Sequence, residues 1–115
     1  MRIARTFVVL GVLIAATISV GLTPAMPAPA CTWVGTPGPD EKHGTAGHDV
    51  LCGRGGDDVL FGGRGNDVIR GGPGDDFMSG QRGDDILLGQ AGRDSMIGRG
   101  GDDAMYGGLG IESAR

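Results

Sequence analysis

Carboxylate side chains recur at every ninth position through most of this chain. From residue 35 onward, the sixth place of eight successive nine-residue rows is an aspartate: Asp40, Asp49, Asp58, Asp67, Asp76, Asp85, Asp94 and Asp103. In five of these rows the preceding residue also carries a side-chain oxygen: Asp57, Asn66, Asp75, Asp84 and Asp102. The chain has 14 acidic and 10 basic residues, a formal net charge of −4. Such a surface lacks the basic footprint that nucleic acid requires, and its carboxylates suggest cations as ligands.

Glycine marks the same rows. Nine rows fill residues 35–115 without insertion or deletion, and the first and fourth columns are glycine in every row. Because glycine permits a positive φ and a close approach of backbone, we expect a tight turn that uses both columns. A flexible glycine-rich linker would not hold one carboxylate and one apolar residue at fixed phases over nine periods.

The eighth column is mostly apolar and predicts a thin core. It reads Lys42, Leu51, Leu60, Ile69, Met78, Leu87, Met96, Met105 and Ala114. Columns seven to nine resemble a short strand, in which neighbouring side chains point to opposite faces, so the eighth column should face inward. One apolar residue per row cannot bury itself, whereas stacked rows form a continuous core. Trp33 falls in the same column and is predicted to cover the first turn.

Two rows carry the complete pattern G-G-x-G-x-D-x-U-x, in which U is a large aliphatic residue. They are residues 62–70 (GGRGNDVIR) and 71–79 (GGPGDDFMS). In this respect residues 35–115 resemble the haemolysin-type calcium-binding repeats of the repeats-in-toxin (RTX) family. The resemblance implies an all-β fold, a parallel β-roll (right-handed β-solenoid) with two rows per turn and calcium ions between turns. Lys42, Arg93 and Glu112 depart from the pattern.

The resemblance also implies how the aspartates would bind calcium. Rows 18 residues apart share an edge, so one edge carries Asp40, Asp58, Asp76, Asp94 and Glu112, and the other carries Asp49, Asp67, Asp85 and Asp103. Two carboxylates and several turn carbonyls would supply the 6–8 oxygen ligands that Ca²⁺ prefers, giving up to about seven ions. The fifth-column oxygens should add ligands near the loops. The best sites are expected at the pairs Asp58/Asp76, Asp67/Asp85 and Asp85/Asp103. Arg93 should either weaken the sites of Asp94 or face solvent.

Residues 1–30 have the layout of a secretory signal peptide. Arg2 and Arg5 precede a mostly apolar run over residues 7–20, which is short for a membrane span of about 20 residues. Cleavage is expected before Cys31, with cleavage after Ala25 as the alternative; a retained anchor and lipidation of Cys31 remain the other readings of this segment. We therefore predict a secreted, extracellular protein with no membrane span after cleavage. Its mature part would comprise a cap segment, residues 31–34, and the repeats, residues 35–115.

Export to an oxidising compartment leaves two states open for the only cysteines, Cys31 and Cys52: a disulfide or two free thiols. Strict 18-residue stacking places Cys31 over Asp49, so the segment before Gly35 would have to leave the register for the bond to form.

The repeats leave no room for a catalytic domain, and His43 and His48 lack the H-E-x-x-H spacing of a zinc enzyme. The sequence thus predicts a non-enzymatic, secreted calcium-binding repeat protein. Because apolar residues are sparse beside the aspartates, we expect folding to be coupled to calcium binding. Two alternatives stay open: a calcium-stabilised extracellular interaction or adhesion module, and a truncated, non-catalytic remnant of an RTX-type secreted enzyme. The sequence does not identify a protein partner.

Overall fold

The computed structural model describes residues 27–110 and 113–115. The signal peptide predicted over residues 1–30 therefore lies outside the described residues except for residues 27–30, and Glu112 lies outside them too. The ten strands are β1 (Trp33–Val34), β2 (Glu41–His43), β3 (Val50–Cys52), β4 (Val59–Arg64), β5 (Val68–Pro73), β6 (Phe77–Arg82), β7 (Ile86–Ala91), β8 (Ser95–Gly100), β9 (Ala104–Leu109) and β10 (Ser113–Ala114). In this part of the chain no helix is long and apolar enough to cross a membrane.

The strands form two parallel sheets that the chain visits alternately. The odd-numbered strands make one sheet in the order β1-β3-β5-β7-β9, and the even-numbered strands make the other in the order β10-β8-β6-β4-β2. Paired residues are 18 positions apart throughout, as in Val59↔Phe77 and Val68↔Ile86. One turn therefore consists of two rows, and the predicted all-β parallel β-solenoid is confirmed.

The core is a single file of eighth-column side chains between the two sheets. Six of them are at most 1% exposed: Leu51, Leu60, Ile69, Met78, Leu87 and Met96. Trp33, which pairs with Leu51, packs against the beginning of this file, and Met105 packs against its far end. The prediction that the eighth column faces inward is confirmed. Because the file is only one side chain wide, hydrophobic burial alone offsets little of the entropy of ordering the turns.

The strands in the middle of the solenoid are longer than the sequence predicted. Strands β4 to β9 have six residues and extend through the third column of the following row. They do so because the first half of each predicted turn also pairs with its neighbour, as in Gly63↔Gln81 and Arg64↔Arg82. The change of direction is thus confined to columns four to six.

The two invariant glycine columns have different physical causes. From Gly56 onward the fourth-column glycines adopt positive φ, for example 136° at Gly74 and 125° at Gly83, whereas Gly38 and Gly47 in the first turn do not. None of the described first-column glycines has a positive φ, so of the two expected reasons for glycine only close approach applies to this column. Close approach explains the first column instead: a Cβ on Gly71 would overlap Oδ2 of Asp76, which folds back over it.

The second column carries a backbone demand that the sequence analysis missed. Four non-glycine residues in this column have φ between 77° and 82°: Arg54, Gln81, Gln90 and Arg99. Glycine stands at the same place in other rows, and the family pattern has glycine there. For a residue with a Cβ, the left-handed region costs about 1–2 kcal/mol. The chain therefore carries removable strain at this column.

Replacement of Gln90 by glycine should relieve that strain. Gln90 has a φ of 77° and an exposed side chain. The relief exceeds the extra entropy that glycine gives the unfolded chain, so we expect a net gain of about 0.5–1 kcal/mol in the free energy of unfolding. Urea unfolding in saturating calcium measures it. Gln90→Ala is the control, since it removes the same side chain and keeps the strain; equal midpoints for the two variants would contradict the strain explanation.

A disulfide joins Cys31 to Cys52 at the beginning of the solenoid. The prediction that the segment before Gly35 leaves the 18-residue register is wrong for most of that segment. Trp33 and Val34 keep this register and pair with Leu51 and Cys52. The chain bends at Thr32, whose N–H donates to the Val50 carbonyl over 2.8 Å. Only Cys31, the residue before this bend, leaves the register to reach Cys52.

Candidate metal centre

The sixth-column aspartates point into the solenoid beside the core. Asp58, Asp67, Asp76 and Asp85 are at most 2% exposed. The sixth and eighth columns are two residues apart, so a strand that turns the apolar residue inward also turns the carboxylate inward. Asp49 and Asp94 are buried as well, whereas Asp40 and Asp103, near the two ends, are only half-buried.

A hydrogen-bond ladder brings consecutive aspartates of one edge together. Oδ1 of each aspartate accepts the backbone N–H of the aspartate one turn earlier, for example Asp58 N–H to Asp76 over 2.8 Å. The six hydrogen bonds of this kind, 2.8–3.1 Å long, join Asp40 to Asp58, Asp49 to Asp67, Asp58 to Asp76, Asp67 to Asp85, Asp76 to Asp94 and Asp85 to Asp103. The three pairs favoured from the sequence are among them.

The second carboxylate oxygen is left without a protein partner in the central turns. Oδ2 of Asp58, Asp67, Asp76 and Asp85 is buried and makes no hydrogen bond. A buried charged oxygen without a partner is costly, so either a proton or a cation must compensate it. Burial, with a smaller contribution from neighbouring carboxylates, raises the pKa of Asp67 and of Asp76 to about 6. It raises the pKa of Asp58 and of Asp85 as well.

These oxygens fit a calcium ion. No group of three or more His, Cys, Asp or Glu side chains within residues 27–110 and 113–115 could hold a metal by itself. Backbone carbonyls therefore have to complete any site, as is usual for calcium and its hard oxygen ligands. The carbonyl oxygen of Gly71 and Oδ2 of Asp58 both lie against Gly53. The same arrangement recurs one row later with Gly80, Asp67 and Gly62, so backbone carbonyls lie beside buried carboxylates.

The fifth-column residues lie on the other side of the loop. Asp57, Asn66, Asp75, Asp84 and Asp102 are all exposed. They form an outer ladder of opposite polarity, in which Oδ1 of Asp57 accepts the N–H of Asp75 over 2.9 Å. Arg93 is exposed in the same ladder, and its N–H donates to Asp75. The structure thus separates the two predicted ligand columns. The sixth-column carboxylates are buried and, in the central turns, have one oxygen without a hydrogen bond. The fifth-column side chains lie at the surface and accept backbone hydrogen bonds.

Two threonines that the sequence analysis did not single out change the first turn. Thr36 donates both its N–H and its hydroxyl to Oδ2 of Asp40, over 2.6 and 3.0 Å. Thr45 does the same for Asp49, over 2.6 and 2.9 Å. The oxygen that is orphaned in the central turns is therefore already satisfied here. The signal was present in the sequence, because the second column holds threonine only in the first two rows.

Comparison with known protein families agrees with this geometry. The model of the RTX calcium-binding nonapeptide repeat matches the chain in four overlapping copies, at residues 34–69, 43–78, 53–87 and 79–111. Together the copies span most of the 115 residues. Neither a curated protein nor a solved structure matches the chain.

Proposed function

The chain belongs to the RTX calcium-binding nonapeptide repeat family, and from this premise we propose that it is a secreted protein whose folding is coupled to calcium binding between the stacked turns. Repeats of this family bind calcium. The observation that carries the coupling is the row of buried, unpartnered Oδ2 atoms on Asp58, Asp67, Asp76 and Asp85. A bound cation would supply the positive charge that these carboxylates lack.

In this proposal each ion is held by two consecutive sixth-column carboxylates of one edge and by loop carbonyls. The full set is up to about seven ions, given the oxygen-rich coordination of calcium. Six of the pairs are those joined by the hydrogen bonds between sixth-column aspartates, which we call the inner aspartate ladder. The last pair, Asp94 with Glu112, includes a residue outside the described part of the chain.

The proposed sites are unequal for a reason that the first turn makes visible. Asp40 and Asp49 already receive hydrogen bonds from Thr36 and Thr45 at Oδ2, so a cation there relieves less. The central aspartates have no such donors. We therefore place the tightest sites at Asp58/Asp76 and Asp67/Asp85, and the coupling to folding depends mainly on them.

Secretion is supported by the layout of the N-terminal segment and by the disulfide. The segment over residues 1–30 has the charge and apolar pattern of a signal peptide. The Cys31–Cys52 bond fits an oxidising compartment, since such bonds rarely persist in the reducing cytosol. The proposal includes no catalytic role.

Calcium titration of the full chain tests the coupling. Starting in chelator at neutral pH, we expect far-UV circular dichroism to change from a mostly unordered to a β-rich spectrum as calcium rises, with a midpoint at about 10⁻⁴–10⁻³ M, the range of extracellular modules. Magnesium should substitute poorly, because it demands a rigid octahedral shell. A strong β spectrum that chelator does not alter would overturn the proposed coupling.

Two neighbouring substitutions identify the ligand column in the same titration. Asp76→Asn removes a buried charge that faces two consecutive sites, whereas Asp75→Asn removes an exposed charge one residue away. We expect Asp76→Asn to shift the calcium midpoint upward by about tenfold or more, the loss of a charged ligand interaction of at least about 1.5 kcal/mol. Asp75→Asn should shift it by about twofold or less, as exposed charges do. Equal shifts would contradict the sixth-column assignment.

A further inference from the structure

Three arginines line one cavity on the surface of the second sheet. The cavity, about 640 Å³ in volume, is open to solvent and is bounded by Gly63, Arg64, Gln81, Arg82, Arg99 and Gly100. These residues are the last two of β4, β6 and β8, the three central strands of that sheet. A basic groove on a chain with a net charge of −4 is not accounted for by cation binding.

The sheet register brings two of the three arginines side by side and places the third one position earlier on the next strand. Arg64 and Arg82 are direct partners in neighbouring strands, and Arg99 pairs with Gln81 in the next strand. Neighbouring strands are about 4.8 Å apart, so the three arginines extend over about 10 Å. Like charges placed directly opposite each other destabilise a sheet unless a counterion offsets them.

No carboxylate within the described residues forms an ion pair with any of the three arginines, and all three side chains are exposed. Arg99 is nevertheless held in place, because its Nε–H donates to Oγ of Ser79 over 3.2 Å. Ser79 is fully buried, with 0% exposure. The hydrogen bond uses the inner nitrogen of the guanidinium and leaves the outer nitrogens for a ligand in the groove.

We propose that this groove binds a ligand that carries two or more linked oxyanions, sulfate or phosphate esters on one molecule. Guanidinium groups match such oxyanions with two parallel hydrogen bonds each. A span of about 10 Å across two strand spacings takes at least two of them. Nucleic acid is disfavoured, because the cavity has no aromatic lining on which bases could stack and the remaining surface is acidic.

Isothermal titration of the calcium-saturated full chain tests this site. The probes are a heparin-derived hexasaccharide, its desulfated counterpart, fructose 1,6-bisphosphate and inorganic sulfate. We expect a multivalent ester to bind at least about tenfold more tightly than inorganic sulfate, and the desulfated sugar not to bind. Comparison of the heparin-derived hexasaccharide with fructose 1,6-bisphosphate distinguishes sulfate from phosphate esters. Added salt should weaken binding, because exposed charges are screened. Absence of binding by both esters would overturn the proposal.

Matched variants localise the binding. Arg64→Ala and Arg82→Ala introduce a residue that the third column already carries at Ala46 and Ala91. Arg99→Gln introduces the residue that the second column carries at Gln81 and Gln90. Each should lower the affinity about tenfold, equivalent to about 1.4 kcal/mol.

Arg54→Gln is the control for Arg99→Gln. It changes the same column at nearly the same φ, 79° against 82°, but two residues after the end of β3, a strand of the other sheet. It should leave ester binding unchanged. Equal losses in the two variants would overturn the assignment of the site. Calcium titration of every variant by circular dichroism should match the parent chain, which separates loss of the oxyanion ligand from failure of calcium-dependent folding.

Discussion

Replacement of Gly83 by alanine is expected to abolish most of the calcium-dependent β structure, whereas the same substitution at Gly47 should leave it intact. Both glycines occupy the fourth column on the same edge. Gly83 has a φ of 125°, and a Cβ there would overlap the backbone carbonyl oxygen of Gly65 one turn earlier. A Cβ on Gly47 would meet only Oγ1 of Thr45 at 3.7 Å, an ordinary contact.

The difference between the two variants should be large relative to the stability of so thin a fold. A residue with a Cβ in a glycine-only region costs about 1–3 kcal/mol from the backbone alone. The overlap with a carbonyl oxygen adds to this, because that oxygen belongs to the stacked backbone and cannot move aside as a side chain would. We expect Gly83→Ala to lose at least about 3 kcal/mol, a large part of a typical 5–15 kcal/mol domain stability.

Urea unfolding and calcium titration, both followed by circular dichroism, measure the two variants side by side. Gly47→Ala should match the parent or gain slightly, since alanine reduces the entropy of the unfolded chain. If Gly83→Ala unfolds at the same urea concentration as Gly47→Ala, then the close stacking of loops in successive turns does not explain why the fourth column requires glycine.

Gly47 and Gly83 are the same residue type in the same column, so the sequence could not distinguish them. What separates them is the presence of an earlier turn beneath the loop, a property of stacking and not of local composition. The inward direction of the sixth and eighth columns was predictable, because it follows from the two-residue period of a strand. The stacking interval of 18 residues came from the family resemblance.

Other features escaped because one pattern has several physical origins. Glycine in the first column makes room for a carboxylate, and from Gly56 onward the fourth-column glycine supplies a positive φ; the sequence analysis gave both reasons to both columns without dividing them. The exposure of Asp57 and Asp75 could not be inferred from the fact that they adjoin buried aspartates. The role of Thr36 depends on its donors reaching Asp40 across the turn, which only the folded loop defines.

Acid should order the calcium-free chain, the reverse of the usual acid denaturation. In the folded state burial raises the pKa of Asp67 and of Asp76 to about 6, from the ordinary aspartate value of 3.8. The folded state therefore binds protons that the unfolded state has released over this interval. The stabilisation from these groups is complete below about pH 3.8 and is lost as the pH rises through about 6.

In chelator, the β signal in circular dichroism should thus be weak at pH 7 and rise as the pH falls from about 6 towards 4. In saturating calcium the trend should be opposite, because protons compete with the ion for the same carboxylates. Light scattering at each pH distinguishes folding from association, which becomes easier as negative charge is lost.

Asp76→Asn provides the sharpest comparison, because it replaces one buried titrating group by a neutral side chain of nearly the same shape. In chelator at pH 7 this variant should have more β structure than the parent chain, although it binds calcium less tightly. Its response to acid should be smaller, since one of the groups with a raised pKa is gone. Asp75→Asn, at the exposed neighbour, should follow the parent curve. The contradicting result is a β signal of the calcium-free parent chain that is greatest at pH 7 and declines towards pH 4. It would show that protons do not replace calcium at the buried oxygens. The charge of the sixth-column aspartates would then not be what keeps the calcium-free chain unfolded.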